Sequence, residues 1–200
     1  ILSSLMFSKN VDSEKVPTEG ITKITAADFE YANATDHTIK LLGRSRAIDD
    51  NTAEVMVAPF LLSKEHPLAM VHGVFNAVFV TGNMLGDSMY YGRGAGKLPT
   101  ASAVVSDVVD CARHQGKVIM CFWDKEEVKL ADIGEERSFF IRAKAGAEDA
   151  VTAAFPGGRM VHLKDRKEDF GYFTQSMKEK DFQAKYEALG GQMLGRIRLV

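Results

Sequence analysis

The sequence has few of the features that define secreted, membrane or nucleic-acid-binding proteins. Its two cysteines, Cys111 and Cys121, are too few for a disulfide scaffold or a Cys/His zinc site. No run approaches the roughly 18 continuous apolar residues of a bilayer span, and no signal-peptide pattern opens the chain. The 25 Lys and Arg residues against 27 Asp and Glu residues leave no basic excess for nucleic acid or an anionic membrane. We therefore expect a cytoplasmic protein with free thiols that binds neither nucleic acid nor membrane.

The composition that is present describes folded protein. Of the 200 residues, 46% are apolar and 26% are charged, which is typical of one or two globular domains with real cores. The five histidines are scattered, with no pair at metal-ligand spacing, so no metal site is expected. The first seven residues already follow an apolar pattern that resembles the last turns of a helix. This pattern predicts a further portion upstream of Ile1.

The first half of the chain predicts a helix and two hairpins. Thr25 is a suitable N-cap residue, with Asp28 in the first turn of the helix that follows. Asp49-Asp50-Asn51 separates two strand-like segments rich in Ile, Leu and Val and supplies residues that tolerate a tight turn. The expected helix and four strands cover residues 26–35, 38–48, 54–62, 76–81 and 88–91. Residues 1–116 are therefore expected to form one domain.

The second half predicts a different arrangement. An apolar stretch at 118–123 and a charged passage make up a linker over residues 117–137, which we expect to pack in part. Residues 138–200 then alternate as strand, helix, strand, strand, helix and strand, over 139–144, 148–155, 159–164, 170–175, 178–189 and 192–199. This order is typical of a ferredoxin-like sandwich, in which one antiparallel sheet carries two helices on one face. The predicted fold class is α+β.

A glycine-rich loop is the strongest local signal of a binding site. Gly92, Gly94 and Gly96 precede a helix predicted over 100–115, and glycines allow close backbone approach while a helix N-terminus attracts anions. The spacing matches neither the dinucleotide fingerprint nor the Walker phosphate loop. From the residues alone, two interpretations remain open: a loop that contacts phosphate, or a tight turn from strand to helix. Lys40 alternates to the face opposite Ile39, which favours a solvated or interface lysine.

Four blocks of residues together resemble the homoserine dehydrogenase family over about residues 1–116. They are Glu19-Gly20-Ile21-Thr22-Lys23-Ile24-Thr25, Ile39-Lys40-Leu41-Leu42-Gly43, His66-Pro67-Leu68-Ala69 with Gly73-Val74-Phe75-Asn76-Ala77-Val78, and Tyr90-Tyr91-Gly92-Arg93-Gly94-Ala95-Gly96 through Pro99-Thr100-Ala101-Ser102-Ala103-Val104-Val105 to Asp107. The resemblance implies a nucleotide-binding domain upstream, a substrate and dimerisation domain with a mixed sheet, and an ACT regulatory domain. The tail from about residue 138 resembles the ACT domain.

The resemblance also implies an activity and its partners. Members interconvert L-homoserine and L-aspartate 4-semialdehyde with NAD or NADP, on the route to threonine, methionine and isoleucine. It implies that Gly92, Gly94 and Gly96 lie against the cofactor, and that the chain forms a homo-oligomer, either a dimer or a tetramer. It carries no catalytic residue onto this chain, because the family's catalytic lysines and Rossmann fingerprint belong upstream of Ile1. The 200-residue chain alone is therefore expected to be inactive.

Two further expectations concern regulation and packing. The ACT-like segment keeps Gly146 but lacks the neighbouring proline, which leaves open whether L-threonine is an effector there. An alternative interpretation is a stand-alone module for amino-acid sensing or oligomerisation, without catalysis. The helix after the glycine loop is expected to show an exposed apolar face unless a neighbouring chain covers its valines.

Overall fold

The computed structural model describes residues 1–117 and 122–200. Two compact units divide the chain: the first combines Ile1–Ser63 with Trp123–Val200, and the second is Lys64–Phe122. This partition differs from the linear division expected at residues 116 and 138. The physical reason is that a strand near the C-terminus pairs with a strand of the first hairpin.

Helices and strands alternate along the described residues. Their α-helices are α1 (Leu2–Phe7), α2 (Ala26–Ala34), α3 (Lys97–Arg113), α4 (Glu148–Ala154) and α5 (Glu179–Ala188). Their strands are β1 (Lys9–Asn10), β2 (His37–Ala47), β3 (Thr52–Ser63), β4 (Phe75–Gly82), β5 (Gly86–Arg93), β6 (Asp124–Glu127), β7 (Lys129–Leu130), β8 (Glu136–Arg137), β9 (Phe139–Lys144), β10 (Arg159–Val161), β11 (Asp169–Phe173), β12 (Met177–Lys178) and β13 (Met193–Leu199). Three short 3₁₀ turns lie at Ser13–Lys15, Pro67–Met70 and Gly190–Gln192. Within residues 1–117 and 122–200, no helix is long and apolar enough to cross a membrane.

A seven-stranded mixed sheet organises the first unit. Its order is β10-β11-β9-β13-β3-β2, and β7 pairs with β3 as well. Most neighbours are antiparallel, whereas β13 and β7 each run parallel to β3. The junction between β13 and β3 is short, with Arg198 opposite Phe60 and Leu199 opposite Leu61. The expected mixed sheet is thus present, and it is continuous from the first hairpin to the C-terminal strands.

Both faces of this sheet are covered. On one face, α4 and α5 bury a cluster that includes Phe139, Val151 and Phe182, and the rings of Phe139 and Phe182 stack with centroids 3.7 Å apart. On the other face, Tyr31 of α2 packs with Phe140. The sequence predicts two helices on one face of the strands in residues 138–200 and predicts nothing about which face α2 covers. Successive strand residues point to opposite faces, so α2 covers the side that α4 and α5 leave open.

Residues 124–137 are integrated into the first unit by strand pairing. β6 runs parallel to β1, β7 pairs with β3, and β8 pairs with β12. Val128 is buried with Ala53 and Val55. The part of the expected 118–123 strand that covers residues 118–121, including Cys121, lies outside the described residues.

The second unit contains a hairpin and a long helix. β4 and β5 pair from Phe75 opposite Arg93 to Gly82 opposite Gly86. Helix α3 begins at Lys97, three residues before the expected start at Thr100. Pro99 is compatible with this earlier start, because a proline in the first turn removes no intrahelical hydrogen bond.

Candidate cofactor-binding loop

The three predicted glycines lie at the junction of β5 and α3, with Gly92 near the end of β5 and Gly94 and Gly96 in the loop that follows. Each has a different structural environment. Gly94 donates its backbone N–H to the carbonyl oxygen of Val74 at 3.1 Å. A Cβ atom at position 94 would lie 1.5 Å from Nδ2 of Asn76 and 2.7 Å from its Cγ. A glycine at this position is therefore explained by close packing within the hairpin.

Gly96 is the N-cap residue of α3 and has a special backbone conformation. Its φ is 116° and its ψ is 155°, in a region that only glycine adopts readily. Its carbonyl oxygen accepts the N–H of Thr100 at 3.1 Å, which closes the first turn of the helix. Space is not the constraint here, because the nearest atom to an added Cβ, Cδ of Pro99, would be 3.5 Å away.

Gly92 differs from the other two glycines because the structure requires no glycine there. It pairs with Asn76 across the hairpin, is exposed, and has no heavy atom within 4 Å of an added Cβ. Its φ is not in the left-handed region. The backbone at Gly92 is thus open to a molecule that approaches from solvent.

The first turn of α3 adds donors and a positive electrostatic potential to the loop. The backbone N–H groups of Lys97 and Leu98 have no intrahelical acceptor because they begin the helix. The aligned peptide dipoles place partial positive charge at the same end, and the ammonium group of Lys97 adds a full charge. This arrangement can bind an anionic group such as a phosphate.

The hairpin that presents the loop is stiffened by aromatic contacts that the sequence analysis did not identify. The rings of Phe75 and Tyr91 stack with centroids 4.8 Å apart, and the guanidinium of Arg93 lies 4.9 Å from the centre of the Phe75 ring. Phe75 and Arg93 are directly opposite each other in the register. Predicting the contact between Phe75 and Arg93 requires the register of the hairpin, which cannot be read from a single sequence.

Helix α3 exposes the apolar stripe that the sequence predicted. Val104, Val105 and Val108 are 57%, 59% and 62% exposed, and no residue of the helix is buried. Cys111 on the same helix is an exposed free thiol. The expected exposed apolar face is therefore present.

Lys40 lies in the first unit, on β2, and is half-buried. Burial lowers the pKa of its ammonium group below the usual value, because the charged form is disfavoured away from water. For metal ions, the described residues contain no group of three or more His, Cys, Asp or Glu side chains that could hold one.

Two networks of charged residues were not predicted from sequence, and both lie in the first unit. In the first, Arg142 pairs with Asp28 and Asp169. In the second, Arg198 pairs with Glu19 and Glu179. Hydrogen bonding to Arg198 lowers the pKa of Glu19 to about 2. The sequence around Arg142 on β9 and Arg198 on β13 does not indicate that these two side chains are buried.

The fold and loop together define an α+β protein in which a mixed sheet is accompanied by a glycine-bearing strand-to-helix turn suited to an anionic ligand. Residues 1–109 match the family model described as homoserine dehydrogenase. The chain belongs to the homoserine dehydrogenase family. This result confirms the resemblance noted in the sequence.

Individual relatives agree with the family assignment. The chain is 48% identical over 109 residues to homoserine dehydrogenase of Bacillus subtilis, covering 54% of this chain and 25% of that protein. It is 49% identical over 113 residues to the enzyme of Synechocystis, covering 55% of this chain and 26% of that protein. The chain thus matches about a quarter of the length of these curated relatives.

A solved structure extends the likeness to the whole chain. The crystal structure of a homoserine dehydrogenase from Thiobacillus denitrificans superimposes with a TM-score of 0.82 at 29% identity, covering 100% of this chain and 51% of that chain. The enzyme from S. aureus at pH6.0 gives a TM-score of 0.74 at 26% identity, covering 100% of this chain and 51% of that chain. The C-terminal strands, beyond the family match, therefore also have counterparts in a solved family member.

Proposed function

We propose that this chain is part of a homoserine dehydrogenase that interconverts L-homoserine and L-aspartate 4-semialdehyde in the biosynthesis of threonine, methionine and isoleucine. The observation that carries the proposal is the family match over residues 1–109, since it includes the glycine-rich loop. The chain covers only part of its relatives, so the activity belongs to the full-length protein. The chain alone is expected to be inactive.

The cofactor in this proposal is NAD or NADP, and Gly92, Gly94 and Gly96 form the part of the chain that lies against it. The residues present fit such a group: Gly92 leaves open backbone, and the first turn of α3 offers the N–H groups of Lys97 and Leu98 to an anion. When bound, the nicotinamide supplies the acceptor or donor of hydride. Gly94 and Gly96 maintain the loop conformation that keeps Gly92 and the helix N-terminus accessible.

The C-terminal part of the chain is proposed to be an ACT-like regulatory domain. The order of its four strands in the sheet, β10-β11-β9-β13, supports this proposal. The two central strands, β9 and β11, are the first and third of the four in the sequence, and they run antiparallel. Helices α4 and α5 pack on one face of these strands. This order and this packing support the proposal of a ferredoxin-like sheet.

L-Threonine is the effector proposed for this domain. The loop after β9 contains Gly146 with a φ of 90°, and its N–H donates to Glu148 at 2.7 Å. That donor is already engaged within the chain, which favours a weak effector site. Millimolar threonine is therefore expected to bind the full-length protein weakly, as measured by calorimetry.

Two further elements complete the proposal. The protein acts in the cytoplasm as a homo-oligomer, a dimer or a tetramer. In the full-length protein, the nucleotide-binding portion covers the valine stripe of α3, because an exposed stripe of this size is costly in water.

The decisive experiment is homoserine-dependent reduction of NAD and of NADP by the full-length gene product. Turnover with either cofactor supports the proposal, and the same assay on the chain that begins at Ile1 is expected to give none. If the full-length product turns over neither, a sensing or oligomerisation module without catalysis becomes the better account. The ferredoxin-like strand order is the observation that favours this second candidate.

A second experiment tests the loop by direct binding. Gly92→Val is expected to preserve the fold, because valine suits a strand and position 92 has open space. It should raise the cofactor dissociation constant by about tenfold or more, which corresponds to a loss of about 1.4 kcal/mol of binding free energy. Fluorescence titration measures this constant. Ser88→Val, on the same face of β5, is the matched control and should leave cofactor binding unchanged. Equal affinity in the Gly92→Val protein would contradict the assignment of the loop.

A further inference from the structure

A cleft of about 250 Å³ lies in the first unit, whereas the glycine-rich loop belongs to the second unit. Its lining includes Arg44 on β2, Phe60 on β3, Arg137 on β8 and Leu199 on β13. The short parallel junction between β3 and β13 lies at this cleft, since Phe60 and Leu199 belong to its two residue pairs. The volume is suited to a small organic molecule.

Two guanidinium groups share one carboxylate at the centre of the cleft. The carboxylate of Glu135 accepts from Nη2 of Arg137 at 3.0 Å and is also paired with Nη1 of Arg44. One carboxylate thus serves two guanidinium groups, while the second lining carboxylate, Glu136, makes no ion pair with either of them among the described residues. An anion placed beside Arg137 would give each guanidinium group its own carboxylate.

Arg137 has unused hydrogen-bonding capacity in addition to this charge. The residue is 7% exposed, and its Nε is buried without a hydrogen-bond partner among the described residues. Its Nη1 reaches only the sulfur of Met56, at 4.0 Å, which is a weak acceptor. Burial and the nearby Arg44 lower the pKa of Arg137, as expected for a cation that lacks sufficient compensation.

We propose that this cleft binds a small organic carboxylate that bears a compact aliphatic group. The carboxylate would accept hydrogen bonds from Arg137 and pair with Arg44, while Phe60 and Leu199 supply an apolar wall for the aliphatic group. Such a ligand is either a simple acid or an α-amino acid. In the second case Glu136, on the rim of the cleft, pairs with the ammonium group. Because the ligand contacts β2, β3, β8 and β13 together, its binding would stabilise the pairing of β3 with β13.

The test is calorimetric titration of the full-length protein, with thermal unfolding as a second readout. The probes are 3-methylbutanoate, L-valine, the neutral isostere 3-methylbutanamide, and inorganic phosphate. A carboxylate probe should bind saturably and raise the melting temperature, and the amide should bind at least about tenfold more weakly. Tighter binding of L-valine identifies an amino acid as the ligand class, whereas tighter binding of 3-methylbutanoate identifies a simple acid. No saturable binding of either probe, or equal binding of phosphate, would overturn the proposal.

Variants locate the binding in the cleft. Arg44 is half-exposed, so Arg44→Gln is expected to preserve the fold. The substitution should weaken carboxylate binding about tenfold. Arg46→Gln is the matched control, because Arg46 lies on the same face of β2, pairs with Glu54, and does not line the cleft. Arg137→Lys retains the charge but loses the planar guanidinium, and should weaken binding as well. Unchanged affinity in both the Arg44 and Arg137 variants would place the binding elsewhere and contradict the proposal.

Discussion

Nε of Arg142 on β9 donates to Oδ1 of Asp28 on α2 at 2.8 Å, and both side chains are buried. The two residues are 114 positions apart in the sequence. Asp28 also accepts the backbone N–H of Thr25 at 2.7 Å, so the carboxylate that caps α2 also fixes this helix to the sheet. The second carboxylate on Arg142 comes from Asp169 of β11, at 3.0 Å.

Replacing Arg142 with methionine should strongly destabilise the protein. The change leaves the buried carboxylate of Asp28 without its cation, and breaking a buried pair costs about 3–5 kcal/mol. Denaturant titration of the full-length protein measures this loss. Lys15→Gln is the control, because the exposed pair of Lys15 with Glu127 should contribute less than about 1 kcal/mol. Equal losses for the two variants would mean that the Arg142 pair is as weak as a surface pair.

Glu19 makes the stability of the first unit depend on pH. Hydrogen bonding to Arg198 is the largest cause of its lowered pKa of about 2, compared with 4.5 for an ordinary glutamate. The pKa of Glu19 is lower in the folded state than in the unfolded state. The ion pair therefore contributes its full stabilisation at pH values above the unfolded-state pKa. That contribution is lost as pH falls from about 4.5 to about 2.

Glu19→Gln provides the test of this pH dependence. The variant should be less stable than the unmodified protein at neutral pH, and the difference should shrink as pH falls through this range. The measurement is the unfolding free energy at several pH values. A constant difference between the two proteins down to pH about 2 would show that Glu19 titrates normally in the folded state.

Local features of the fold could be predicted from the sequence because their causes are local. The Thr25 cap with Asp28, the Asp49 turn between β2 and β3, and the β4–β5 hairpin each depend on neighbouring residues. The parallel pairing of β13 with β3 could not be predicted, because the pairing joins residues more than 130 positions apart and is decided by packing.

The glycine-rich loop before α3 could be proposed as a candidate site from the sequence, but the structural reason for each glycine could not. Only the structure distinguishes a glycine next to Asn76, such as Gly94, from one with open space around it, such as Gly92. Arg137 was not identified, because a charged residue in a two-residue strand carries no sign of burial.

Gly94 and Asn76 should be energetically coupled. Gly94→Ala forces the Asn76 side chain to move, and overpacking of this kind costs about 1–3 kcal/mol. Asn76→Ala alone should change stability by less than about 0.5 kcal/mol, since the side chain is exposed. The double variant should recover most of the loss, and a double-mutant cycle by denaturant titration measures the coupling. Additive losses would show that the alanine at 94 is disfavoured for a reason other than Asn76.

Gly96→Ala should destabilise the start of α3 through conformation alone. Alanine at a φ of 116° costs about 1–3 kcal/mol, although the space for its Cβ is adequate. Hydrogen exchange across the first turns of α3, in the full-length protein, should rise in this variant. Gly92→Ala is the control, because its backbone conformation suits alanine and should leave exchange unchanged. Equal exchange in both variants would show that the helix begins without the special conformation at Gly96, and the loop would then need no glycine there for structural reasons.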